Sequence, residues 1–247
     1  MLKNLLEDGF IHIHNALNIS EIEVWIKNLK FLYKSKLYDI NNSVGNVAFE
    51  HLLTHYPIET KKLIAHESVS FYLKKILGKQ CQLRSIRAHV NPGKYLQEWH
   101  MDFYDYWDQE KQSKSRLYSH CTCINTTFYL TDNTSETGRL RFLKNFNNKP
   151  IPQNIFKFSG YTDNFQNPFQ KWCNDQSYID LFPKAGDVIV FFSHIPHQGA
   201  KYDESFRANI VLHYQQNPMH PDINFVSDPQ YTINKLGFAG TFPFKSE

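Results

Sequence analysis

No run of about 18 apolar residues occurs anywhere in the 247-residue chain, so no membrane-spanning helix is expected. The opening Met1-Leu-Lys-Asn-Leu-Leu-Glu-Asp-Gly reaches acidic residues before an apolar segment can form, which argues against a secretory leader. Cysteine is scarce: Cys81, Cys121, Cys123 and Cys173 make neither a CxxC nor a regular framework. Reduced, buried thiols in a cytoplasmic protein are expected from them. Neither sign of charge dominates, with 27 Lys and Arg against 24 Asp and Glu for a net +3. That balance gives no bulk attraction to nucleic acid or to an anionic membrane, and any anion site must be local. GxGxxG, the P-loop and GxSxG are all missing, and His66-Glu67 lacks the second histidine of HExxH, which removes several common chemistries. There is no internal repeat and no low-complexity tract, and nothing suggests an obligatory protein partner.

What is present is the composition of a folded domain, with 41% apolar, 15% aromatic and 21% charged residues. A single domain over residues 1–247 suffices, divided into a helical part (1–78), a β-rich core (79–216) and a tail (217–247). After the turn at Asp8-Gly9 a short apolar alternation runs to Ile13. Ser20 with Glu23 then has the spacing of a capping box, and Ile22, Trp25, Ile26, Leu29 and Leu32 share one helical face. A second helix is predicted from about Glu59 to Leu77, stopped by Gly78. Beyond Gly78 the texture changes to short segments of two-residue period. In Cys81–Val90, Leu83, Ser85, Arg87 and His89 share one face; in Cys121–Leu130, Asn125, Thr127 and Tyr129 do. Further strands are predicted at Gly138–Leu143, Asp187–Ser193 and Arg207–Tyr214. One polar and one apolar face recur, the pattern of a mainly β barrel that packs on helices outside and holds a polar site inside. Residues from about Asn145 to Pro183 read as an ordered aromatic insertion near the barrel mouth.

The chemistry left over is histidine with carboxylate. Trp99-His100-Met101-Asp102 places an imidazole and a carboxylate two residues apart, on one side of an extended segment, where both could ligate one metal. His220-Pro221-Asp222 has the same spacing but is followed by no histidine-bearing strand. Further on, Gly186-Asp187 leads through an apolar strand to Ser193-His194-Ile195-Pro196-His197, and Arg207 heads another strand ten residues later. Two histidines and a carboxylate on one side of a metal suit a non-haem Fe(II) centre. Arginine offers a planar fork for a carboxylate. His194 competes with His197, and the strand-to-turn position favours His197.

With these residues in view, the chain resembles the phytanoyl-CoA dioxygenase-like family of Fe(II)- and 2-oxoglutarate-dependent oxygenases. The resemblance spans most of the chain. It rests on Glu7-Asp8-Gly9-Phe10, Pro92-Gly93 before the Trp99–Asp102 segment, Thr137-Gly138-Arg139-Leu140, and Gly186-Asp187 through His197 to Arg207. It implies a double-stranded β-helix, or cupin-like jelly roll, with helices against its outer sheet. It also implies Fe(II) on His100, Asp102 and His197, with no catalytic residue beyond these ligands. Arg207 would bind the cosubstrate 2-oxoglutarate, and O2 would complete a hydroxylation of a small-molecule substrate that yields succinate and CO2. Two positions depart from the family: Leu143-Lys144-Asn145-Phe146 replaces a Pro-Gly-Ser-His stretch, and Gly199 stands where a small hydroxyl residue is common.

Strand parity adds Arg87, Asn125 and Thr127 as candidate cosubstrate contacts. Tyr104, Tyr106 and Trp107 follow Asp102 closely and are candidates for a substrate pocket. Two other classes stay open on sequence alone: a jelly-roll metal- or carbohydrate-binding module without oxygenase activity, and a zinc-assisted hydrolase. Arg207 argues against both, since neither needs a cationic anchor near the metal.

Overall fold

The computed structural model describes residues 2–38, 40–41, 47–77, 82–102, 123–146, 151–158 and 166–215. Its first third holds α1 (Leu2–Asp8), β1 (Phe10–Ile13), α2 (Ile19–Lys34), β2 (Ile40–Asn41), β3 (Val47–Phe49), α3 (Leu52–His55), α4 (Pro57–Ile64) and α5 (Glu67–Leu77). The remainder holds β4 (Gln82–Asn91), β5 (Tyr95–Leu96), β6 (Cys123–Tyr129), β7 (Gly138–Leu143), α6 (Gln153–Phe156), α7 (Pro168–Asn174), β8 (Tyr178–Leu181), β9 (Val188–Phe192), β10 (His197–Lys201) and β11 (Arg207–Gln215). Among the described residues no helix is long and apolar enough to cross a membrane.

The strands form two antiparallel sheets, a major one in the order β1-β9-β6-β11-β4-β3-β2 and a minor one in the order β5-β10-β7-β8. This is the jelly roll with flanking helices that the family resemblance implies, and the alternation is consistent with it. Register explains the two-faced strands. Arg207, Asn209, Val211 and His213 of β11 lie opposite Asn91, His89, Arg87 and Ser85 of β4. On the other side, Asn209, Val211 and His213 lie opposite Tyr129, Thr127 and Asn125 of β6. Directly paired residues share a face, so the polar sets of three strands form one surface. The alternate positions, among them Ile86, Ala88, Ile124, Phe128, Val190, Ala208, Ile210 and Leu212, join the apolar residues of α2 to α5 in the larger core. A second core fills the space between the sheets, bringing Tyr129, Ile189 and Phe191 of the major sheet to Leu140 and Phe142 of the minor one. Phe142 there stacks on Phe10 with ring centroids 4.6 Å apart.

Several local expectations are corrected. The capping box of α2 is built by Asn18 and Glu21, not Ser20 and Glu23: Asn18 accepts from the Glu21 amide, and Glu21 accepts from that of Asn18. The helix expected over 59–77 is two helices, because the chain turns at Ala65-His66. A shift of register between His213 and Tyr214 pairs Tyr214 with Leu83. This places Leu83 in the apolar core and not beside Ser85 and Arg87. Cys123 and Cys173 are free and buried, whereas Cys81, Cys121, Gly78 and the tail from 217 onward lie outside the described residues.

Candidate metal centre

The Trp99–Asp102 segment belongs to no strand, and main-chain bonds to the neighbouring strand β10 and to Ser193 just after β9 hold it. Gln97 N–H donates to the Gly199 carbonyl at 2.9 Å, His100 and His197 exchange two amide bonds of 3.0 Å, and Asp102 N–H donates to the Ser193 carbonyl at 2.9 Å. The segment thus prolongs the pairing of β5 with β10 by one bridge, which sets the two ring-bearing residues side by side. The aromatic insertion supports it from behind: Gln170 of α7 accepts the Trp99 N–H at 2.7 Å and donates to the Trp99 carbonyl at 2.5 Å. The Trp99 indole donates to Asn174 at 2.9 Å. The described part of the insertion therefore braces the backbone that carries His100.

His100, Asp102 and His197 offer ligand atoms that all lie within 4.8 Å of one another. His100 Nε2 is 3.7 Å from Asp102 Oδ1, and His197 Nε2 is 3.5 Å from Asp102 Oδ2. His194, the competing histidine, is buried between Phe146 and Phe192 and is not in this group.

The residues fit a divalent metal on their own chemistry. Each ring commits Nδ1–H to a carbonyl, His100 to Glu98 at 2.9 Å and His197 to Ile195 at 3.0 Å. A carbonyl only accepts, so the proton sits on Nδ1 and the Nε2 lone pair is left for a ligand bond. Burial, followed by the facing His197, pulls His100 down to about 4, keeping it neutral at physiological pH. Burial alone would raise the Asp102 carboxyl, but His197, His213 and His100 hold it well below the usual carboxylate range.

Asp102 is itself oriented from the major sheet. Asn125 Nδ2 donates to Asp102 Oδ2, while Asn125 Oδ1 accepts from the Ser193 hydroxyl at 2.5 Å. His213 Nε2 approaches the same carboxylate oxygen to 3.8 Å, and its other nitrogen is 2.7 Å from the Ser85 hydroxyl. The structure thus places Asn125, read from the sequence as a cosubstrate contact, on the Asp102 carboxylate. The roles of Ser193, Ser85 and His213 could not be read from strand parity, which says which face a residue is on but not what it reaches.

Arg207 lies on the same polar face and is buried. Its Nη1 donates to the Ala200 carbonyl at 2.8 Å, its guanidinium carbon is 5.5 Å from the centroid of the Tyr95 ring, and its Nε has no hydrogen-bond partner among the described residues. A buried cation with a bare N–H is built to receive an anion. Arg87 shares the face but is ion-paired with Glu50. Thr127 is buried opposite Val211. At Gly199, a Cβ would lie 3.0 Å from Gln97 Oε1 and 3.1 Å from the Tyr95 hydroxyl, so these two side chains fill the space a larger residue would need. Gln97 Nε2 is also 3.4 Å from His100 Nε2, and nothing in the sequence marked it out. Tyr104, Tyr106 and Trp107 lie outside the described residues.

Comparison with known proteins agrees with this geometry. The family model described as phytanoyl-CoA dioxygenase (PhyH) matches residues 5–203. No curated protein matches the chain in sequence. Among solved structures, the chain is similar to the non-heme alpha ketoglutarate dependent epimerase SnoN from nogalamycin biosynthesis. The two share 15% identity at a TM-score of 0.69, over 99% of this chain and 91% of that one. It is similar to HygX from Streptomyces hygroscopicus with nickel and 2-oxoglutarate bound, at 14% identity and a TM-score of 0.64 over 88% and 86%. EctD from S. alaskensis with 2-oxoglutarate and 5-hydroxyectoine is similar at 15% identity and 0.66 over 88% and 76%.

Proposed function

The chain belongs to the phytanoyl-CoA dioxygenase family, and on that premise we propose that it is an Fe(II)- and 2-oxoglutarate-dependent dioxygenase that hydroxylates a small molecule. The reaction is R–H + 2-oxoglutarate + O2 → R–OH + succinate + CO2. A single cytoplasmic domain would carry it out. The observation that carries this reading is the pairing of the His100, Asp102 and His197 donors with a buried, partly unsatisfied arginine on the same inner surface. Fe(II) held by the three side chains would supply the redox chemistry, in which O2 is reduced by two electrons from 2-oxoglutarate and two from the substrate C–H bond.

The rest falls to the protein. His100 and His197 each donate Nδ1–H to a backbone carbonyl, which leaves Nε2 as the ring atom that would face the metal. Asn125 fixes which carboxylate oxygen of Asp102 faces inward. Arg207 would take the distal carboxylate of 2-oxoglutarate, and Thr127 lies on the same surface as a second contact. The carboxylate at position 102 favours hydroxylation over halogenation, which needs a small non-ligating residue there to free a site for halide. Tyr104, Tyr106 and Trp107 are proposed to line the substrate side. Rigid rings with polar edges suit a compact substrate that has an apolar face and hydroxyls or amides.

The similar structures include an epimerase and a carbocyclase, so the test must read the product as well as turnover. A metabolite screen with Fe(II), 2-oxoglutarate and labelled O2 should give succinate and a product that has gained one labelled oxygen atom. A product of unchanged mass, or one short of two hydrogens, would overturn hydroxylation while keeping the oxidative chemistry. Iron uptake with no succinate under any condition would favour the binding-module reading instead.

A further inference from the structure

At the opposite end of β9 from His197, three more metal-binding side chains meet. His12 of β1 and His14 just after it are two residues apart and project to one side, with ring centroids 4.1 Å apart. Both reach Asp187, at the turn that opens β9: His12 Nε2 is 2.7 Å and His14 Nδ1 3.2 Å from Asp187 Oδ2. We propose that His12, His14 and Asp187 form a second divalent-cation site, separate from the iron centre, that takes Zn(II) or a similar borderline metal and ties the β1 edge strand to the turn before β9.

Four observations support the assignment. The donor set, two imidazole nitrogens and one carboxylate oxygen, is one that zinc accepts with water completing the shell. The carboxylate is fixed in advance, since Asp187 Oδ1 accepts the Asn15 amide at 3.0 Å and Oδ2 the Lys184 amide at 2.9 Å; Asn15 reaches it from a left-handed backbone at φ 52°. Oδ2 is also crowded. Without a cation it faces two imidazoles and an amide, three donors for an oxygen with two lone pairs, and a metal between the rings and the carboxylate relieves that competition. Finally, the site is open: the Asp187 side chain is 2% exposed and that of His12 17%, but that of His14 is 68% exposed, so a hydrated ion can enter without any unfolding. The backbone here leaves little latitude, because Gly186, at φ +92°, would place a Cβ 2.9 Å from the Leu17 carbonyl, and the turn is held against the segment that leads into α2.

Because His12 and His14 lie on a separate strand end, roughly 16 Å of β-strand from the iron centre at about 3.3 Å per residue, this proposal does not rest on the oxygenase reading. The test is Zn(II) stoichiometry by equilibrium dialysis on three full-length proteins: the wild type, His14→Ala, and His100→Ala/His197→Ala. His14→Ala is the probe because its side chain is mostly exposed, and its loss leaves the bond between His12 and Asp187 in place. Two zinc ions in the wild type and one in each variant are expected, with a melting midpoint in His100→Ala/His197→Ala that rises by roughly 5–10 °C at a hundredfold excess of zinc over its Kd. A His14→Ala protein that still binds two zinc ions, or a wild type with one that His14→Ala retains, overturns the proposal.

Discussion

Replacing Arg207 by methionine should separate two properties that the native side chain couples, affinity for 2-oxoglutarate and stability of the empty protein. The guanidinium is buried, its Nη1 is bonded to a backbone carbonyl at 2.8 Å, and its Nε has no hydrogen-bond partner among the described residues. In the cosubstrate complex a charge-assisted contact of this kind is worth on the order of 1.5–3 kcal/mol, so its loss should weaken 2-oxoglutarate binding by roughly ten- to more than a hundredfold. In the empty protein the sign reverses. An unsatisfied buried donor costs about 1–3 kcal/mol, and a methionine of similar length fills the space without that cost. The empty variant should therefore match the wild type or exceed it by up to about 2 kcal/mol, a rise of roughly 4–8 °C in melting midpoint. Calorimetric titration of 2-oxoglutarate into the Mn(II)-loaded proteins without oxygen, beside melts without ligand, measures both quantities. Arg207→Lys should recover only part of the affinity, lacking the fork. If affinity in Arg207→Met stays within twofold of the wild type, Arg207 is not the anchor; if the empty variant loses several kcal/mol, the arginine is a structural ion.

Alanine at His100, Asp102 or His197 should abolish iron binding and turnover with the fold intact by circular dichroism, whereas His194→Ala should keep iron; the opposite outcome for His194 and His197 would refute the ligand choice. Asn125→Ala should weaken Fe(II) binding by about 10- to 100-fold with all three ligands present, through loss of the bond that orients Asp102, and equal affinities in a competition assay would show that the bond has no such role. His89 is held down to about 3 by burial and then by Arg87, His213 and Arg207. Its folded value lies below the ordinary 6.5, so the unfolded chain takes the proton first; stability is complete above that value and is lost as pH falls toward 3, by up to about 1.4 kcal/mol per pH unit. Urea melts of metal-free His89→Gln should recover about 1.5–2 kcal/mol of the loss between pH 6.5 and 5, and parallel curves for variant and wild type would refute the assignment.

Long strands were the most legible part of the fold. Gly138–Leu143 agrees with β7 at both ends, and the β4, β6, β9 and β11 readings differ by a residue or two at their ends, because β4, β6 and β11 alternate between a core and a polar surface, while β9 is an unbroken apolar run with a core on each face. The strands β3 and β5 have too few residues to show a period, and β10, His-Gln-Gly-Ala-Lys, has no apolar alternation, so partners far along the sequence define all three. Helix α1 precedes the turn at Gly9, where seven residues give too little periodicity to call. Parity failed once, at the register shift beside His213, because an irregularity of pairing leaves no mark in the hydrophobic pattern. Chemistry followed the same division. The grouping of His100, Asp102 and His197 and the place of Arg207 on the polar face were legible because spacings link these residues to recognisable strand ends, whereas the bonds from Asn125, Ser193 and His213 depend on how two sheets face each other.

That facing gives the centre its character. His100 and His197 are tied to each other by their own backbone bridge, as a continuation of the minor sheet. Asp102 hangs from the Ser193 carbonyl, and Asn125 and His213 of the major sheet reach it. A metal bound by all three would therefore fasten one sheet to the other, and the inter-sheet core of Phe142, Phe191 and Tyr129 fixes how far apart they sit. This is why a truncation at Phe142, whose ring centroid lies 5.9 Å from that of His197, would bear on a metal held there. The cavity it leaves, at a cost of about 3–5 kcal/mol in a fully buried phenylalanine, lies at the joint on which the spacing of imidazoles and carboxylate depends.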